Sequence, residues 1–162
     1  MPERWFLKID GIDGESTADD HPGEIDVLSW SWGVTNPGGG PGVGAGAAGG
    51  KPIFQDFNFV ARITKASPKL FLSCATGTHH KFAALTGARA GDKTKGAEFL
   101  KYKLTDVQVT NVQHAGSEAE PPVEQFSLNY SKFEISFSPQ KADGSLGAAV
   151  KAGFDLKQSK KV

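Results

Sequence analysis

The chain has a single cysteine, Cys74, among 162 residues. That excludes an internal disulfide framework and metal sites built on paired thiolates. Net charge is also missing: 18 basic side chains balance 18 acidic ones, which argues against general nucleic-acid binding. No apolar run approaches the length of a membrane span, so membrane insertion is not expected. The start, "MPERWFLKID", lacks the basic, apolar, small-residue order of a secretory signal. Assembly in the cytoplasm is therefore expected, with any export following a route that cleaves no signal. G-x-S-x-G and H-E-x-x-H are absent as well. The expectation is no enzyme, no cofactor and no metal site.

What is present suits one soluble globular domain over residues 1–162, with 11 Phe and 3 Trp for a core. A chain of this size buries about 70% of its extended surface. Charge is uneven along it. Residues 1–50 hold 2 basic and 8 acidic side chains, a balance of −6, and residues 51–162 hold 16 and 10, a balance of +6. Such a split could give complementary faces to copies of the chain, unless the two halves interleave on folding.

Strand patterns dominate. "RWFLKID" precedes an acidic connector, "GIDGESTADDHPG", which reads as a solvated turn region because no EF-hand register fits it. In "EIDVLSWSWGV", Ile25 and Val27 share one face, then Leu28, Trp30 and Trp32 share the other, the mark of a β-bulge. "IFQDFNFVARI" places Ile53, Phe57, Phe59, Ala61 and Ile63 on one face. Further strands follow in "KFAALTGARA" and "AEFLKYKLTDVQVTNV", joined by a charged loop "GDKTKG". "VEQFSLNYSKFEISFS" reads as the longest strand, with a second bulge where Tyr130 gives way to Phe133, and "AGFDLKQ" as a last one. One helix is expected over about 67–76, with Ser67 as cap, Pro68 in the first turn and Gly77 as terminator. Leu70, Phe71 and Cys74 would pack it on the sheet. The fold class is mostly β: a compact barrel of two packed antiparallel sheets, one short flanking helix, and a long extended Gly-rich loop over about 34–52.

That loop, "NPGGGPGVGAGAAGGKP", contains Gly44, Gly46 and Gly49 in G-x-G-x-x-G spacing and ends in Gly50-Lys51. A phosphate loop needs Ser or Thr after the lysine and a helix to follow, whereas Pro52 and a strand pattern stand there. His79 and His80 are adjacent on a strand and point to opposite faces, so they do not share a metal. Trp30 and Trp32 read either as core or as a sugar-stacking platform. If they are core, Ser29 and Ser31 line the second face with small hydroxyls.

"EIDVLSWSWG" at 24–33, "ASPKLFLSCATGTHH" at 66–80 and above all "SFSPQKADGSLG" at 136–147 resemble the Hcp family, the tube proteins of bacterial type VI secretion systems. The likeness runs in order from "FLKIDGIDGES" to "AGFDLKQ", nearly the whole chain. It implies a secreted structural subunit that forms hexameric rings stacked into a tube. It further implies a contractile sheath that drives the tube, a VgrG spike at its tip, and small secreted effectors carried in its lumen. On this likeness Ser29 and Ser31 become candidate lumen and effector contacts. Asn36, Gly40, Gly44, Gly46, Gly49 and Lys51 become the inter-subunit loop, and Trp30 and Trp32 structural core. A tail-tube protein of a phage or phage-like particle is the alternative.

Overall fold

Alternating apolar and polar residues become strands along most of the chain. The computed structural model describes residues 3–38, 51–89 and 97–162. In chain order the elements are β1 (Glu3–Ile9), β2 (Ile25–Ser31), β3 (Val34–Thr35), β4 (Ile53–Phe54), β5 (Phe57–Arg62), α1 (Ser67–Thr76), β6 (His79–Arg89), β7 (Ala97–Ala115), β8 (Val123–Asn129), β9 (Lys132–Phe137), β10 (Val150–Asp155) and β11 (Lys160–Lys161). The fold is mostly β with one short helix among the described residues, as the sequence indicates.

The strands β7, β6, β1, β2, β5 and β8 pair in that order, and β8 pairs back onto β7. The two expected layers are thus opposite walls of one sheet curled into a closed six-stranded barrel, which removes free edges around the ring. Closure is possible because β7 is 19 residues long. Its first half pairs with β9 and its second half with β8, along the same edge. β9, β10 and β11 then continue outward as an extension. The long segment 123–138 is therefore two strands rather than one bulged strand, and β7 is the longest element. The change of phase at Tyr130 marks where the chain leaves the barrel.

The first expected bulge does occur, between Val27 and Ser29 against β5. Leu28 is itself the extra residue. It stands 52% exposed instead of sharing the core face of the tryptophans, because a bulged residue is pushed out of the ladder. Inside the barrel Phe57, Phe59, Phe126, Leu7, Ile25 and Leu128 are fully buried, each worth about 1.5–3 kcal/mol of burial. Ile53 lies on the separate β3–β4 ladder and is 61% exposed, unlike its expected face-mates.

The helix spans the expected residues, but Ala66, not Ser67, is its N-cap. Ser67 Oγ accepts from the Thr64 amide at 3.0 Å and donates to Glu124 at 2.9 Å. Glu124 has no exposed side-chain surface and also meets His114 Nε2 at 3.0 Å, so this pair of contacts pins the helix start to the barrel. Gly77, at φ 68°, ends the helix in the left-handed conformation that favours glycine. Leu70 faces the core and Cys74 packs against it, whereas Phe71 is 47% exposed and Ser73 takes the buried place. The connector 10–24 is not simply a solvated turn. Ile12, Ser16 and His21 are buried, and His21 stacks on Phe6 at 4.4 Å.

At the fork between barrel and extension stands Asp106, with φ 56°. Its carboxylate accepts from Ser131 Oγ at 2.7 Å and Lys157 Nζ at 3.1 Å, and pairs with His79 Nδ1 at 2.9 Å. These contacts, led by Ser131, hold its carboxyl far below the usual carboxylate range. A depressed folded value means stability that is present above the unfolded value of about 3.9 and is lost as pH falls toward the folded one. Asp106→Asn keeps the tolerance for positive φ and removes the charge. It is expected to lower the urea midpoint at neutral pH, and the gap to wild type should close as pH drops below about 4.

Candidate assembly surfaces

Each barrel strand points alternate residues inward and outward, so the outer walls can be read from the registers. Trp30 of β2 and Trp32 just past its end turn inward. Trp30 packs against Trp5 at 5.0 Å and Tyr102 at 5.2 Å. Trp32 stacks on Phe57 at 5.2 Å, meets Phe133 at 4.9 Å and donates its indole N–H to the Tyr130 hydroxyl. Both rings are partly buried against the core. Gly87 makes room for this cluster, since a Cβ there would strike the Trp5 ring.

Ser29 and Ser31 are exposed on the outer side of the same strand. Ser31 lies opposite Asn58, which lies opposite Ser127, which lies opposite Asn111. Ser29 begins a second row through Val60, Gln125 and Gln113. The two rows cross β2, β5, β8 and the end of β7 without one ionisable side chain. Reading the sequence alone missed Asn58, Gln125, Ser127, Asn111 and Gln113. Their polarity was visible, but only the registers place them beside the serines.

The opposite wall differs. Across β1, β6, β7, β9 and β10, one row runs Phe6, Thr86, Lys101, Ser136, Lys151 and the next runs Lys8, Ala84, Lys103, Glu134, Gly153. The connector lies over the Phe6 end. There His21 Nδ1 sits 2.8 Å from Glu24, and Nε2 sits 2.9 Å from Glu98 in a poorly aligned ionic contact. Burial pushes the Glu98 carboxyl up, but Lys101 at 2.7 Å and His21 together bring it below the usual range.

The Gly-rich arm is zipped at its base by β3 and β4. Asn36 Oδ1 accepts from the Gly38 amide at 2.9 Å, a local turn at the arm's departure. Asn36 and Lys51 flank a hollow of about 640 Å³ floored by Phe54, Tyr130, Phe154 and Leu156. Gly40, Gly44, Gly46 and Gly49 lie outside the described residues, as does the "GDKTKG" loop. Among the described residues, no group of three or more His, Cys, Asp or Glu is placed to hold a metal ion. His79 and His80 diverge as adjacent strand residues should. His79 pairs with Asp106, while His80 bonds Ser73 Oγ at 2.7 Å and the Asp10 carbonyl at 2.8 Å.

A family model described as "Type VI secretion system effector, Hcp" matches residues 6–137. "Protein hcp1" of Pseudomonas aeruginosa is 38% identical over 161 residues, which cover 98% of each chain. Among solved structures, Hcp1 from Salmonella typhimurium aligns over 100% of both chains at 34% identity with a TM-score of 0.80. A structure described as a type six secretion system protein reaches a TM-score of 0.91 at 26% identity, over 99% of this chain and 100% of that one. These matches define a structural protein of the secretion tube rather than an enzyme. The chain belongs to the Hcp family, whose members are secreted and self-associate in the type VI apparatus. No helix among the described residues is long and apolar enough to cross a membrane.

The aromatic cluster beneath the serines gives a stability test. Trp32→Phe keeps the stack on Phe57 but removes the donor to Tyr130, an expected loss of ~1 kcal/mol. Trp30→Ala opens the cluster, an expected loss of ~3–5 kcal/mol, both read from urea midpoints. Burial pushes the Tyr130 phenol up to about 12, with the Asp56 charge adding and the Trp32 donor subtracting. Phenolate absorbance from Tyr130 should therefore appear only near pH 12, and later still in Trp32→Phe.

Proposed function

We propose that this chain closes into hexameric rings that stack as the inner tube of a type VI secretion system, with the uncharged wall facing the lumen. The observation that carries the reading is the contrast between the two walls. A conduit for varied cargo is served by a surface without fixed charge, and the two rows through Ser29 and Ser31 supply one. The lysine-bearing wall and the extension are then left for contacts outside the lumen. The sheath that propels the tube and the VgrG spike at its tip are the partners there, and small effectors are the cargo within.

The charge split supports head-to-tail contacts around the ring. Asp13, Glu15, Asp19 and Asp20 of the connector are exposed, and so are Lys151, Lys157, Lys160 and Lys161 at the other end of the chain. In the sheet the two halves do interleave, since β1 and β2 sit between β6 and β5 and Glu3 lies 3.8 Å from Arg89, but these exposed clusters stand on the connector and on the extension. One patch of each copy can then meet a different patch of the next, and rotation closes the circle. The arm that leaves at Asn36 and returns at Lys51 is assigned to contacts with neighbouring subunits.

Native mass spectrometry with negative-stain images of the purified protein tests the assembly, and a sixfold mass with open rings is the expected result. A monomer at every concentration would count against spontaneous ring formation. Ser31→Arg should leave the ring mass intact and reduce co-purifying small proteins about tenfold, equivalent to ~1.4 kcal/mol. Rings that fail to form in Ser31→Arg would make Ser31 a structural residue.

A further inference from the structure

The inference rests on the uncharged wall as the lumen surface and concerns what that wall selects. Asn58 stands in the middle of it, opposite Ser31 on one side and Ser127 on the other. Its side-chain amide is held from both ends. Ser127 Oγ donates to Asn58 Oδ1 at 2.5 Å, and Asn58 Nδ2 donates to the Asp56 carbonyl at 3.2 Å. A carbonyl oxygen only accepts, so the second bond assigns the nitrogen to the Asp56 side and leaves the oxygen toward Ser127. Asn58 is nevertheless exposed. Its nitrogen keeps a second N–H and its oxygen a second lone pair, on an amide whose plane the two bonds hold.

We propose that Asn58 is the specificity-determining residue of this wall, and that it selects polypeptide segments presenting an uncharged amide. An Asn or Gln side chain, or the N–H and C=O of one residue in an extended segment, offers one donor and one acceptor on the same side, so each pairs with Asn58 through two hydrogen bonds. An amide already fixed by its neighbours loses little conformational freedom on pairing. The exposed Ser31 beside it carries a hydroxyl that can donate or accept, which tolerates variation in the segment bound, while the buried Ser127 serves to hold the Asn58 amide. A charged segment finds no counter-charge within the two rows themselves, which Asp56 and the exposed Arg62 bound on either side, and it would give up hydration there. The nearest carboxylate, Asp56, already accepts the Thr110 hydroxyl at 2.7 Å.

The test uses the assembled full-length protein and three labelled synthetic peptides of equal length: one neutral and rich in Asn, Gln and Ser, one rich in Lys, one rich in Glu. Binding is read by fluorescence anisotropy at about 0.05 M and about 0.5 M salt, a range that strongly screens ionic contacts. The neutral peptide should bind most tightly, with an affinity that changes less than about twofold over that range. Asn58→Ala should weaken it about tenfold. Asn58→Asp, which keeps the shape and the Ser127 bond but loses the donor, should weaken it as well. No binding of the neutral peptide, a preference for either charged peptide, or unchanged binding in Asn58→Ala would each overturn the proposal. Ser31→Arg separates the two levels. If it abolishes peptide binding while Asn58→Ala does not, the lumen reading stands and the role of Asn58 falls. If neither variant matters, both fall.

Discussion

Barrel closure and the departure of the extension happen at the same place, and both depend on what holds β7 there. Thr105 accepts the Ser131 amide at 2.9 Å, and the Ser131 carbonyl in turn accepts the Leu156 amide at 2.8 Å. Next to Thr105, the Asp106 carboxylate gathers Ser131, His79 and Lys157. Four separate parts of the chain thus meet at one backbone position held at positive φ. Asp tolerates that conformation better than most residues, and its charge is satisfied three ways. At this junction the chain leaves β8 and enters β9, and the edge of β7 serves the barrel and the extension in turn.

From that fork the two walls acquire different characters. The second half of β7 runs with β8, β5 and β2 under an outer surface whose two central rows carry no charge, bounded by Asp26, Asp56 and Arg62, while its first half runs with β6, β1, β9 and β10 under a surface bearing lysines. The physical consequence is a barrel with one side whose central rows are polar but uncharged and another that is ionic. The proposed tube uses that division, with cargo on one side and specific, oriented contacts on the other. Electrostatic complementarity fixes orientation and suppresses wrong partners more than it adds affinity.

The inner faces are joined by aromatic packing that runs from barrel to extension. Trp5, Trp30, Tyr102 and Phe57 meet inside the barrel, and Trp32 hands the contact on to Phe133, which meets Phe54. Tyr130 closes the sequence of contacts by accepting from Trp32 and donating to the Gln55 carbonyl at 2.8 Å. The same side chains therefore support the serine face, the base of the arm and the root of the extension. A change in one of these rings is transmitted to all three, since packed aromatics have few alternative arrangements.

Local patterns were enough for the strands, the helix limits with Pro68 and Gly77, and the first bulge, because propensity and alternation act over a few neighbouring residues. The quoted motifs, taken in order, were also enough for the family. Alternation alone could not separate Leu28 from Trp30, nor Phe71 from Ser73, because which residue a bulge or helix face expels is decided by what packs against it. The split of 123–138 into β8 and β9 was equally hidden, since the contact at the break is with Asp106, 25 residues earlier in the chain. Ser29 and Ser31 could be named from their position on either side of Trp30. Their neighbours Asn58 and Ser127 could not, because cross-strand register joins residues that lie far apart in sequence. The sequence by itself determined the elements and their apolar faces. Only the closed sheet decided which polar residues became a single wall, since that depends on which strand edges meet.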